Sequence, residues 1–400
     1  MSAAKSLLIG LYTNVRLHHG CAENKVQLIS LQLIVKAAEG AAARLIVSTG
    51  FKRFVDGYGI YLFQKIHSFV GLTSLFLHDI IITYDTDILQ VVQANFMIFE
   101  KTFYENKITA VKLREVQHFS PDLIFDCGQS FRFDKVEGSH HESEFAGVAH
   151  GKYISVAKDG SDVYIYNTDE QEFYSLWCNY FGLDRNYADI NSSILSLSSN
   201  PALADAIEKS SGIRILKQDP WEALCSFIIS QNNNIPRIKS LICAISAKCG
   251  CECDLSGMEA HIAASHKNIL GATHTFPTPQ SLFDLGEEGL RELKTGFRAK
   301  YIMDASSRVI SGQTVFSDID AMPTKKATDE LCKICGVGPK VASCALLFGH
   351  SKLDAFPIDV WIKKVIAKYF DESFDPTALG EYAGVAQQYL FYYERYLQNT

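Results

Sequence analysis

Residues 330–370, ELCKICGVGPKVASCALLFGHSKLDAFPIDVWIKKVIAKYF, restrict the possible folds more than any other part of the chain. Apolar residues at helical spacing flank Gly336-Val337-Gly338, so the segment reads as helix, tight hairpin, helix. Both glycines can take positive φ without strain, which lets the backbone turn sharply and approach another surface. The second helix begins near Lys340, and its unpaired N–H groups point toward the turn. Hairpin and helix start together make a cradle for one phosphate, blind to base sequence. An ordinary αα-hairpin with a glycine turn would look the same, and two further residues separate the readings. Lys340 stands where the positive end of the helix dipole opposes a second positive charge, so a merely solvated lysine gains nothing there. A nucleophilic amine, which must shed its proton before attack, does gain. Asp359 follows 19 residues later, after Phe356-Pro357-Ile358, at the start of the next helix. It is placed to cap that helix, a role that does not exclude an electrostatic one.

This arrangement resembles the catalytic core of the helix-hairpin-helix (HhH-GPD) DNA glycosylases, in which a proline-x-aspartate follows the hairpin at this distance. A hairpin lysine marks the bifunctional members, which also nick the strand. The resemblance implies that Lys340 attacks C1′ of a damaged nucleotide and expels the base. It implies that Asp359 stabilises the positive charge developing on the sugar. The Schiff base so formed permits β-elimination of the 3′ phosphate.

Four more segments resemble the 8-oxoguanine branch of that superfamily: Gly128-Gln129-Ser130-Phe131-Arg132; Gln218-Asp219-Pro220 with Gln231-Asn232-Asn233-Asn234-Ile235 and Arg237; Gly296-Phe297-Arg298-Ala299-Lys300-Tyr301; and Tyr382-Ala383-Gly384-Val385-Ala386-Gln387 continuing to Phe391. They occur in consistent order over residues 107–400. Oxidised guanine differs from guanine by an N7–H donor, which a single backbone carbonyl can read, and the resemblance assigns this to Gly128. Gln387 is to meet the Watson–Crick edge, Phe391 and Cys344 to sandwich the ring, and Pro357 to line the same pocket. On the opposite strand, Arg237 and Arg298 are to donate to the orphaned cytosine, Asn232 to fill the gap, and Phe297 to wedge into the stack. Gly336 and Gly338 are to hold backbone phosphate. Taken singly, Gly128 reads equally as a strand bulge and Phe391 as core. One departure stands out: Trp361 occupies the place where eukaryotic members carry a phosphate-contacting histidine.

Charge argues the other way. The chain carries a net −7, and residues 1–106, with nine Lys/Arg and eight Asp/Glu, leave 29 against 37 for the remainder. A DNA enzyme of this composition needs a locally basic face. Arg291, Lys294, Arg298 and Lys300, with Arg237 and Lys239 beside them, are the expected source.

Eleven cysteines, scattered and odd in number, indicate a reducing, intracellular setting: cytoplasm or nucleoid in a prokaryote, nucleus in a eukaryote. No cysteine follows Cys344, which excludes a four-thiolate cluster near the C-terminus. Cys249, Cys251 and Cys253 would need a remote fourth ligand for zinc. Neither metal nor cofactor is expected. Duplex DNA containing oxidised guanine is the expected partner, with no membrane involvement and a monomeric chain.

The expected fold class is α+β. An antiparallel β-rich domain over 107–215 packs on a helical domain over 216–400, with 1–106 as an unassigned extension. Asp159-Gly160 is a hairpin signal, Phe131 and Phe133 alternate as in a strand, and Asp169 opens a helix. Asp219-Pro220 and Pro236 start two more helices. The extension is aliphatic, as in 28–35 and 69–77, but has no run long enough to span a bilayer. Its first 22 residues lack acids and carry Lys5 and Arg16, a faint targeting signature. Every motif lies beyond it, so its removal should spare catalysis. Three other readings compete: a glycosylase for another lesion such as an alkylated base, a non-catalytic DNA-binding module using the hairpin alone, and a metalloprotein. Gly128 and Gln387 argue against the first. Lys340 with Asp359 argues against the second.

Overall fold

The computed structural model describes residues 108–397 except 256, 267, 268 and 372, together with the backbone of four strands before them. The chain divides into units at Met1–Leu89 and Gln90–Thr400. In the first, β1 (Gln32–Ala37) pairs antiparallel with β2 (Ala43–Ser48), and β2 pairs parallel with β3 (Ile82–Thr83). The expectations for the first 22 residues and for residues 69–77 lie outside the described residues.

The second unit begins with a six-stranded antiparallel sheet, in the order β4-β5-β9-β8-β7-β6. Its strands are β4 (Ile98–Glu105), β5 (Ile108–Arg114), β6 (Phe133–Lys135), β7 (Ser143–Ala149), β8 (Lys152–Asp159) and β9 (Asp162–Tyr166). The Asp159-Gly160 signal makes the β8–β9 hairpin, with Asp159 opposite Asp162 and Gly160 at φ 55°. β4 pairs with β5 across the boundary expected at 106/107. Every residue of β7 is buried, because both sheet faces are covered. Helix α1 (Pro121–Asp126) and a helical run over 170–180 pack one face through Phe125, Phe173, Trp177 and Phe181. Asp169 caps that run as expected, accepting from the Glu172 amide.

A segment reaching from Cys253 into α6 (Glu259–Ser265) covers the other face through Cys253, Met258 and Ile262. Two histidines pin it. His266 reaches Asp134 at 3.1 Å, and His261 reaches Glu144 at 3.1 Å. Burial alone would raise Glu144, but hydrogen bonds from His261, Ser139 and Ser155 bring its carboxyl down to about 2.

One local expectation fails here. Phe131 does not share a strand with Phe133: the strand starts only at Phe133, and residues 127–129 form a bend. Phe133 enters the sheet core, whereas Phe131 crosses to the helical core and meets Phe227 edge-on at 5.8 Å. The chain changes domain between two residues of one apolar pattern, which alternation cannot reveal.

The helical half comprises α2 (Tyr187–Leu197), α3 (Pro201–Ser210), α4 (Pro220–Ser230), α5 (Ile235–Cys249), α7 (Pro279–Glu292), α8 (Arg298–Ile310), α9 (Phe316–Ala321), α10 (Thr324–Leu331), α11 (Pro339–Gly349), α12 (Val360–Tyr369) and α13 (Ala383–Tyr392). Asp219 caps α4 through the Glu222 amide at 2.9 Å, and Asn234 caps α5 through the Arg237 amide at 3.0 Å. α4 is buried along nearly its whole length and packs on α11, α8 and α5. It is the axle of this half. Among the described residues no helix is long and apolar enough to cross a membrane, and no three His, Cys, Asp or Glu side chains converge as metal ligands.

Candidate active site

The hairpin lies between α10 and α11. Gly336 sits at φ 76°, and a Cβ there would run into the ring of Tyr301 on α8. Glycine is required twice at this position, for the backbone and for the contact. Gly338 differs from expectation. Its φ is −96°, which any residue adopts, and an added Cβ would meet nothing. What glycine keeps clear at 338 is space above an exposed helix start. The Cys335 amide donates to Asp304 of α8 at 2.8 Å, tying the hairpin to that helix.

Lys340 is the second residue of α11, half-buried, with Nζ 5.6 Å from the ring centroid of Phe227. Phe227 in turn stacks on Phe348 at 5.3 Å and 21°. Cys344, one turn along α11, is buried. Burial pushes its thiol up, Lys340 draws it back by charge and hydrogen bond, and Asp359 adds to the rise. The thiol therefore lies within electrostatic reach of both the lysine and the carboxylate.

Asp359 caps α12. Its Oδ1 accepts from the amides of Trp361 at 3.0 Å and Ile362 at 2.8 Å. Oδ2 takes no hydrogen bond among the described residues. The capping bonds fix the carboxylate's orientation and leave one oxygen for something outside the protein. Pro357 is buried, while Ile358 and Val360 are exposed, Val360 to 68 %. An apolar rim at a carboxylate is poor solvation and a good contact surface.

α13 and the bend after α1 carry the other residues expected to meet the lesion. Gly384 donates its amide to the Leu353 carbonyl at 2.7 Å, and a side chain there would collide with the carbonyls of Leu353 and Ala355. That close approach sets α13 against the loop leading to Pro357. Gln387 is 4 % exposed, and its Oε1 is buried without a partner. An unsatisfied buried acceptor costs about 1–3 kcal/mol, which functional sites tolerate and cores rarely do.

Phe391 is buried on the same helix and lies in van der Waals reach of a Cβ built on Gly128. Gly128 stands at φ 77° in the bend after α1, not in a strand. Its neighbours hold it. The Gln129 amide donates to the carbonyls of Arg214 and Ile124 and its oxygen accepts from the Leu216 amide, while Gln388 donates to the Cys127 carbonyl at 2.6 Å. Sequence reasoning missed both Gln388 and Phe227. Their spacing is that of core helices, and no local signal distinguishes them.

A second cluster gathers at the α4–α5 turn and the start of α8. Asn232 is exposed at φ 49°, a conformation asparagine tolerates. Phe297 is exposed and meets Tyr301 edge-on at 5.8 Å. Arg237 is exposed, with one donor on the Lys294 carbonyl at 3.3 Å. Arg298 departs from expectation. It is 5 % exposed, stacks on Phe297 at 4.4 Å, and spends its fork on backbone: Nε on the Gln231 carbonyl at 2.9 Å, Nη1 on Thr295 at 3.3 Å, and Nη2 on Gln231 and on Asn232 at 3.0 Å. Burial and the nearby charge of Arg237 both lower its affinity for a proton.

The expected basic face is thinner than the sequence count suggests. Arg291 pairs with Glu287 at 2.6 Å and Lys239 with Asp134 at 2.7 Å.

An α+β fold carrying a helix–hairpin–helix, a hairpin lysine and a capping aspartate defines a DNA glycosylase of the HhH-GPD class. The sequence matches the family models for the N-terminal domain of 8-oxoguanine DNA glycosylase over residues 111–224 and for the HhH-GPD superfamily of base excision DNA repair proteins over 225–378. It is 26 % identical over 303 residues to the N-glycosylase/DNA lyase OGG1 of Arabidopsis thaliana, covering 70 % of this chain and 78 % of that one. A probable N-glycosylase/DNA lyase of Methanothermobacter thermautotrophicus is 31 % identical, over 48 % of this chain and 67 % of its own. Among solved structures, Clostridium acetobutylicum 8-oxoguanine glycosylase/lyase with double-stranded DNA containing cytosine opposite 8-oxoG superposes with a TM-score of 0.65. It is 37 % identical and covers 76 % of this chain and 100 % of that one. This chain belongs to the 8-oxoguanine DNA glycosylase/lyase family of the HhH-GPD superfamily.

Proposed function

We propose that this enzyme extrudes oxidised guanine from duplex DNA, excises it, and cleaves the strand at the resulting site. The observation that carries the reading is a half-buried lysine at the start of α11 and, at the start of α12, a capping carboxylate with one oxygen unused, both within electrostatic reach of Cys344. In the proposed reaction, Lys340 Nζ bonds to C1′ as the glycosidic bond breaks, and the base departs with the electron pair and takes up a proton. Asp359 Oδ2 faces the positive charge that builds on the sugar. The lysine adduct opens to a Schiff base. Loss of a C2′ proton then expels the 3′ phosphate.

The flipped base fits between Phe391 and Cys344, with Gly128 and Pro357 at its edge and the free Oε1 of Gln387 toward its Watson–Crick donors. On the other strand, Asn232 and Phe297 fill the gap. Arg237 donates to cytosine, whereas Arg298 reaches the base only by releasing the Gln231 and Asn232 carbonyls. Gly336 and Gly338 leave the hairpin backbone open to a phosphate. No metal or cofactor takes part in this scheme.

The division of labour we assign is a β-rich half over 107–215, joined by β4 but with α2 and α3 packed into the helical core, and a catalytic half over 216–400. The rest of 1–106 carries none of the chemistry. The enzyme works as a monomer inside the cell, where its DNA is. The deciding experiment is borohydride trapping on an 8-oxoguanine:cytosine duplex. The unaltered chain should form a covalent adduct, and Lys340→Gln should lose both excision and trapping while still binding the lesion. A trapped adduct with Lys340→Gln would assign the nucleophile elsewhere.

A further inference from the structure

Beyond the residues assigned above, one cation at the rim of the lesion pocket is held without an anion. Arg395 lies one helical turn past Phe391. Its guanidinium carbon is 5.5 Å from the Phe391 ring centroid, 5.1 Å from that of Tyr396 and 6.0 Å from that of Trp361. Lys364 stands 4.2 Å from the same Trp361 ring.

Several surface cations of this acidic protein find acids: Lys135 with Asp122 at 3.0 Å, Lys209 with Asp205 at 2.8 Å, Arg308 with Asp304 at 3.0 Å. Arg395 makes no hydrogen bond or ion pair among the described residues, although Glu394 is its chain neighbour. Glu394 turns inward instead, to Lys368 at 3.2 Å and the Tyr369 hydroxyl at 3.0 Å. Asp126, beyond Gly128, is the acid that senses Arg395, and it does so outside ion-pair distance. The rings hold the guanidinium by its faces, so its N–H fork is not consumed. A planar fork, fixed and unpaired, suits an anion with several acceptor oxygens.

We propose that Arg395 grips the backbone phosphate beside the extruded nucleotide and, through its ring contact, holds Phe391 in place as the pocket wall. The proposal rests on the glycosylase reading. It also gives Trp361 a use: where the sequence lacks a phosphate-binding histidine, the Trp361 ring instead carries cations. Arg395 and Phe391 share one face of one helix, and Trp361 lies two residues beyond Asp359. A phosphate held here would therefore bear on both arms of the site.

The test is a salt titration of binding to a duplex carrying a tetrahydrofuran abasic analogue opposite cytosine. The full chain is compared with Arg395→Gln and Arg395→Lys. Losing one phosphate contact flattens the log–log salt dependence by about one unit. Between 50 and 200 mM salt, the unaltered chain should then lose about three- to fourfold more affinity than Arg395→Gln. Arg395→Lys, which keeps the charge but not the fork, should retain the slope. Among duplexes with a single methylphosphonate near the analogue, one position should weaken the unaltered chain and leave Arg395→Gln indifferent. An unchanged slope with no such position overturns the proposal, even if excision falls, because Arg395 would then only brace Phe391. A melting temperature within a degree or two of the unaltered chain certifies the Gln variant; if it unfolds, Arg395→Lys with the methylphosphonate series decides alone. Failure of the unaltered chain to bind the lesion duplex would instead remove the glycosylase reading on which this rests.

Discussion

On the side of the site assigned above to the lesion, Asp359 keeps one oxygen and Gln387 its amide oxygen without a partner among the described residues. On the side assigned above to the opposite strand, Arg298 is enclosed by the carbonyls of Gln231, Asn232 and Thr295. The two sides solve different problems. A pocket for a developing cation and a flipped base gains from groups already oriented and not yet satisfied, since nothing must be broken when the ligand arrives. A loop that replaces an extruded nucleotide must first hold its own shape. Asn232, at positive φ, depends on Arg298 for that. One arginine of the pair is thus scaffold, and the exposed Arg237 is the free donor.

The largest effect that sharpens this contrast is expected at Asp359. Asp359→Asn should slow single-turnover excision by about 10²–10³, the usual consequence of removing one preorganised electrostatic group. Its melting temperature should hold, because asparagine caps a helix about as well as aspartate. Asp359→Ala should lose excision and also about 1 kcal/mol of stability. If Asp359→Asn excises at the normal rate, the carboxylate is only a cap and the lesion side is no more poised than the other.

Next come the two arginines, for which opposite outcomes are expected. Arg298→Ala should lower stability by about 1–3 kcal/mol, because it strands buried carbonyls. It should slow excision opposite every base alike. Arg237→Ala should leave the melting curve in place and cost about tenfold in preference for cytosine over adenine opposite the lesion. Measuring both variants on all four opposite bases tests the division. A normal melting curve for Arg298→Ala with selective loss opposite cytosine would reverse the roles.

The smallest effect links the two sides. Gly336 packs on Tyr301, and Tyr301 packs on Phe297. Gly336→Ala forces both a strained backbone and a displaced ring, at a cost of about 1–3 kcal/mol. Gly338→Ala should leave stability within about 0.5 kcal/mol and weaken only DNA binding. Equal melting temperatures for the two variants would mean that the hairpin does not lean on α8.

The sequence by itself determined the elements whose causes are local. The caps at Asp169, Asp219 and Asp359 were legible because capping needs only a side chain and an amide two or three residues on. The Asp159-Gly160 turn and the hairpin at Gly336 were legible for the same reason. So was the placement of Lys340 and Asp359 at the starts of two successive helices, while the chemistry proposed for them came with the resemblance.

What the tertiary structure alone decided are the partners. Residues 67 and 66 positions away occupy the Arg298 fork. Asp134, 105 positions off, neutralises Lys239. The Phe227 ring lies against the lysine, and the chain leaves the sheet core between Phe131 and Phe133. Whether a donor is free or a ring lines a site depends on which distant segments are packed beside it. Packing of that kind answers to shape and desolvation summed over the whole fold, and no window of neighbouring residues contains it.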